Sequence, residues 1–93
     1  MPTFLVEAYE PCGHDESHAE IEQRVRTAAA ALSRSGAEVR FLRSIYVPTD
    51  ETCFHLFDGP SIEVVEAVGR RAELTFNRVT EAIEPALSEG GAI

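Results

Sequence analysis

Glu7, Arg43, His55 and Glu81 each interrupt a short run of β-branched and aromatic residues, standing in the apolar register of that run. Glu7 lies between Leu5 and Tyr9, Arg43 between Phe41 and Ile45, His55 between Cys53 and Phe57, and Glu81 between Val79 and Ile83. A strand alternates its side chains between two faces, so an ionisable group in that register is either paired or used. If the four share a face, strands about 4.8 Å apart set them in a row. A histidine beside carboxylates is an acid–base pair, because its pKa lies near neutrality and anions raise it. His55 then serves as general acid–base, with Glu81 or Glu7 orienting it. Arg43 holds an anionic group or an oxyanion, and Tyr9 and Tyr46 line the pocket. The competing reading is an ion-pair network that fixes strand register or subunit geometry.

A second group is Cys12-Gly13-His14-Asp15-Glu16-Ser17-His18. His14 and His18 are four apart, the separation that puts two side chains on one helical face. With the Cys12 thiolate and nearby carboxylates they make a donor set for nickel or zinc. If Ser17 caps the helix, His14 falls outside it and the group reads as a solvated loop instead. Cys53 shares a strand face with His55 and offers either a reactive thiolate and ligand contact or a small buried side chain.

These residues need elements to hold them. Thr3 to Tyr9 reads as a strand. Ser17 and Glu20 have the spacing of a capping box, which opens a helix. Its apolar stripe is Ile21, Val25, Ala28, Ala29 and Leu32, with Glu22, Arg26 and Arg34 toward water. Gly36 stops it. Val39 to Val47 and Thr52 to Phe57 form a hairpin around Pro48-Thr49-Asp50-Glu51. Asp58 to Ser61 breaks the chain, and a second helix opens at about Ile62, mildly weakened by Gly69. Arg78 to Glu84 is a fourth strand. The order β-α-β-β-α-β predicts an α+β, ferredoxin-like fold, with a four-stranded antiparallel sheet and both helices on one face. The expected strand order is fourth, first, third, second. Residues 1–86 make one domain and 87–93 a loose tail. The uncovered sheet face, which can carry Leu5, Tyr9, Leu42 and Tyr46, is a surface for a homodimer or a ligand.

With 93 residues the chain has room for one thin core, which favours self-association. Its 16 acidic against 8 basic side chains give a net charge of −8, which repels nucleic acid and anionic membrane surfaces. No segment has the apolar length of a membrane span, and the start lacks a signal-peptide pattern, so a cytoplasmic location with free thiols is expected. Lysine is absent, which excludes a lysine Schiff base. No Gly-rich phosphate loop, nucleophile elbow or HExxH helix appears, so there is no organic-cofactor signature.

The stretches MPTFLVEAY, VRFLRSIYV, ETCFHLFDGPSIEVV and NRVTEAIEP together resemble a family of small ferredoxin-like proteins long grouped as a domain of unknown function, some members of which are described as nickel-binding. The likeness covers Met1 to Pro85. It implies a ferredoxin-like fold, a dimer and, more weakly, metal binding. Cys53 and Glu81 fall on the family pattern, whereas Arg43 stands where members often carry histidine, as does the region near Val68. Three functions follow from these residues. The first is a dimer that binds nickel, zinc or a small ligand. The second is a cofactor-free enzyme of cyclase, isomerase or oxygenase type, built on the Glu/Arg/His set. The third is a structural or regulatory interaction module.

Overall fold

The computed structural model describes residues 1–9 and 17–83. Cys12, His14 and the tail from Glu84 lie outside the described residues. Strand β1 (Thr3–Tyr9) is followed by α1 (His18–Arg34), β2 (Arg40–Val47), a 3-10 turn (Pro48–Asp50), β3 (Thr52–Asp58), α2 (Ile62–Arg71) and β4 (Phe76–Ala82). The sheet order is β2-β3-β1-β4 with every pairing antiparallel, the order expected from the sequence. Among the described residues, no helix is long and apolar enough to cross a membrane.

Local chemistry sets the helix ends. Ser17 accepts from the Glu20 amide while the Glu20 carboxylate accepts from the Ser17 amide, so two of the first unpaired donors of α1 are satisfied reciprocally. At the other end Gly36 takes the left-handed conformation (φ 101°) that favours glycine. Ser61 caps α2, accepting from the Val64 amide. Helix α2 ends at a left-handed Glu73 (φ 61°), with the Leu74 amide donating back to the Gly69 carbonyl at 2.9 Å.

Phe4 and Val6 of β1, Val25 of α1, Phe57 of β3, and Val65 and Val68 of α2 form the centre of the core between sheet and helices. Each such buried side chain contributes roughly 1.5–3 kcal/mol. Gly69 has a positive role that helix propensity hides. A Cβ there would lie 2.7 Å from the Phe76 ring, so only glycine lets β4 enter this close to α2.

Both edge strands carry a bulge. Leu42 is the extra residue in β2, between the pairs Phe41–Phe57 and Arg43–Leu56. Asn77 is the extra residue in β4, between Phe76–Ala8 and Arg78–Glu7. The second bulge explains why β4 begins at Phe76 rather than at Arg78. The first changes which residues of β2 face the helices, because a bulge inverts the alternation beyond it. Tyr46 therefore lies on the helix side opposite Cys53 instead of on the open face, and Leu42 sits in the bulge itself. Leu5 and Tyr9 do lie on the open face.

Candidate functional site

Alternation along β3 turns Cys53, His55 and Phe57 under the helices and Phe54 and Leu56 to the open side. His55 is only 1% exposed and ranks among the largest fully buried side chains. A buried imidazole needs polar company. The Leu42 bulge supplies it by bringing Ser44 onto the covered side, directly opposite His55. Ser44 Oγ and His55 Nδ1 are 2.6 Å apart, a hydrogen bond in which either atom can donate. Cys53 Sγ, also buried, is 3.9 Å from the same nitrogen.

Helix α1 covers this group with His18, Glu22 and Arg26, spaced four apart on one face. The His18 ring lies 3.9 Å, centroid to centroid, from the Tyr46 ring. Arg26 donates to Glu22 at 2.8 Å and stands 5.0 Å from the centroid of Phe41. Burial lowers the His55 pKa from its usual 6.5 to about 4, and the Glu22 charge opposes that only in part. His55 is therefore neutral at neutral pH. A base that weak is poorly matched to acid–base work near pH 7, whereas a neutral imidazole is the form that binds a metal ion.

The four polar strand residues do not share a face. Glu7 points to the open side and accepts from Arg78 Nε at 2.9 Å. Arg43, opposite Leu56, is on the open side as well. Glu81 is on the helix side, but it is exposed and sits on β4, with β1 between it and β3. Neither carboxylate stands beside His55. Tyr9 is exposed at the end of β1, where its hydroxyl donates to Glu51 at 3.0 Å. Of the residues singled out in the sequence, Cys53 lies by His55 on β3, and His18 lies against Tyr46, the β2 residue opposite Cys53.

Ser44 and Glu22 join this group without having been marked by the sequence reading. Glu22 was expected to face water, yet it is half-buried and acts on His55. Its position four residues after His18 was the available signal. Ser44 had none, since the bulge is not written in the local residue types. An open groove of about 500 Å³ between α1 and α2 is lined by Glu20, Arg24, Arg71 and Glu73 among others, and it contains none of these residues.

The donor types suit a soft divalent ion, but the count does not. Among the described residues, no three His, Cys, Asp or Glu side chains come together to hold a metal. Those residues alone do not complete a nickel centre.

Comparison with known proteins gives three findings. A family model described as nickel responsive protein SCO4226-like matches residues 5–82. The crystal structure of SCO4226 from Streptomyces coelicolor A3(2) superposes with a TM-score of 0.65 at 24% identity, covering 90% of this chain and 99% of that one. At that identity the likeness establishes the ferredoxin-like fold alone. No curated protein matches.

Proposed function

The chain belongs to the SCO4226-like family of nickel-responsive proteins, and from that premise we propose that it binds a divalent late first-row ion, nickel before zinc, at the end of the molecule where α1 begins. The observation that carries this reading is the Cys53–His55 pair on β3, felt by Glu22 and approached by His18 through Tyr46, with His55 held neutral. Metal binding requires an imidazole without its extra proton, and burial provides that form across the physiological range.

The described donors are too few, so the reading assigns the remaining ligands to Cys12 and His14, which precede the Ser17 cap and so would not share a helical face with His18. Thiolate and imidazole are donors that nickel and zinc both accept. In this reading Ser44 fixes the orientation of the His55 ring, as outer partners do for ligand histidines. The enzyme reading built on Glu7, Arg43, His55 and Glu81 loses its support, because those side chains are divided between the two faces.

The test is calorimetric titration of metal-stripped protein with nickel and then zinc, backed by native mass spectrometry. Stoichiometric uptake that is lost in Cys12→Ser, His14→Ala and His18→Ala is the expected result. Absence of uptake by the wild-type protein at near-neutral pH overturns the proposal. Uptake that survives all three substitutions moves the site elsewhere.

A further inference from the structure

Away from the metal reading, a second place in the molecule combines a cavity with opposed charges. The groove of about 500 Å³ between α1 and the end of α2 is lined in its buried part by Ala28 and Ala72, whose methyl groups leave the space open. Glu20 and Arg24 stand on its α1 wall, and Arg71 and Glu73 on its α2 wall. A cavity of this size takes a small organic ligand, with a few charged groups fixing its orientation. Two arginines against two glutamates leave the groove neutral in a chain whose net charge is −8. A purely anionic ligand is opposed by the field of the whole chain, and a purely cationic one has no reason to prefer this groove to the acidic surface. A ligand carrying both signs is matched here.

Two features hold these charges in place. Arg24 is half-buried, and its Nε–H donates to the Ala72 carbonyl at 2.8 Å, which ties α1 to the end of α2 and fixes the guanidinium beside the groove. A charge ordered in advance lowers the entropy lost on binding. Glu73 forms the turn that ends α2, its amide donating to the Arg70 carbonyl at 3.0 Å and the Leu74 amide to the Gly69 carbonyl at 2.9 Å. That pair of bonds is a Schellman motif, whose left-handed residue is usually glycine. Here it is a glutamate at φ 61°, so a carboxylate is kept at the groove against the preference of the backbone. Glu38 and Glu51 share the conformation, but only Glu73 lines this groove. The Glu20 carboxylate accepts from the Ser17 amide, so it adds charge more than a contact.

We propose that this groove binds a small zwitterion, a dipeptide with short apolar side chains, its carboxylate toward Arg71 and Arg24 and its ammonium toward Glu73. Guanidinium and carboxylate form charge-assisted hydrogen bonds, and the alanine lining accepts methyl-sized side chains. From Glu20 to Ala28 the α1 wall is about 12 Å long, which accommodates an extended dipeptide of about 7 Å.

The test is an amide chemical-shift titration of the full chain with L-alanyl-L-alanine, on metal-free protein so that failure of the metal reading leaves the result intact. Saturable shifts in residues 20–28 and 71–73 are expected, with a dissociation constant on the order of 0.1–1 mM. N-acetylated and C-amidated dialanine, each lacking one charge, are expected to bind about tenfold more weakly, as is Arg71→Gln with the unmodified dipeptide. Glu73→Gly is expected to weaken binding while raising Tm by about 2–6 °C, because glycine suits the turn, whereas a purely structural role would move Tm alone. Arg70→Gln, in the same turn but outside the groove, is expected to bind as the wild type does. A wild type without saturable shifts well into the millimolar range overturns the proposal. An equal response to the blocked dipeptides, or binding that survives both Arg71→Gln and Glu73→Gly, overturns it too, because the paired charges would then not be read.

Discussion

The two faces of the sheet deal with polar groups in opposite ways. On the helix side a single imidazole is held neutral by burial and given a hydroxyl partner at 2.6 Å. On the open side full charges stand next to one another and neutralise in pairs, Glu7 with Arg78 and Asp58 with Arg40. Low dielectric penalises ionisation on the first face, while solvent makes it inexpensive on the second. Polarity under the helices is therefore kept uncharged by burial, and polarity on the open face is kept charged by solvent and pairing.

The sharpest way to test that contrast is to truncate an aromatic on each side. Phe57→Ala, from a fully buried site, is expected to lose about 3–5 kcal/mol of stability by chemical denaturation. Phe54→Ala, on the open face and only partly buried, is expected to lose clearly less. Equal losses would mean that the open face is packed as firmly as the core.

Next in size is the pH dependence of His55. The folded state binds its proton only near pH 4, whereas the unfolded chain binds it near 6.5, so between those values the unfolded state holds more protons. The contribution from this group is complete above pH 6.5 and declines as pH falls toward 4. The total loss is roughly 3 kcal/mol. Subtracting the profile of His55→Gln isolates it, and a flat difference curve would contradict the buried neutral imidazole.

Removing the hydroxyl is expected to matter less. Ser44→Ala should destabilise by about 1–2 kcal/mol, because a buried nitrogen loses a hydrogen-bond partner. Arg43→Ala, one residue away on the opposite face, is expected to change stability by under about 0.5 kcal/mol. If the two cost the same, the bulge does not divide them as described.

The smallest effect belongs to the surface pair. Glu7→Gln is expected to lose less than about 1 kcal/mol, and less again at high salt, since Arg78 is mostly exposed. A large, salt-independent loss in dilute solution would place this pair in a desolvated setting.

Much of the scaffold was legible from residue types. β1 runs from Thr3 to Tyr9 as read, the Ser17–Glu20 box opens α1, and the strand order follows from right-handed crossovers. The site was legible only in part. His55 and Cys53 keep the register that simple alternation assigns them, because β3 carries no extra residue of its own and its ladder to β1 is unbroken. Tyr46, Ser44 and Arg43 do not, because an edge strand has a partner on one side only and can absorb an extra residue. Gly69 is the reverse case, since a residue read as a local weakness is required by a ring that approaches from a distant strand.

The Leu42 bulge also bears on how relatives of this chain can be compared. Up to Phe41 and from Arg43 onward, β2 is in two different phases with respect to the sheet. If Leu42 paired with Leu56 and the bulge were lost, the inventory of both faces downstream would exchange, putting arginine beside the imidazole and serine in solvent. Deleting Leu42 would instead straighten the strand and leave the pairs from Arg43–Leu56 onward as they are. Alignments through this segment should therefore be anchored on β3 pairing partners and not on residue identity.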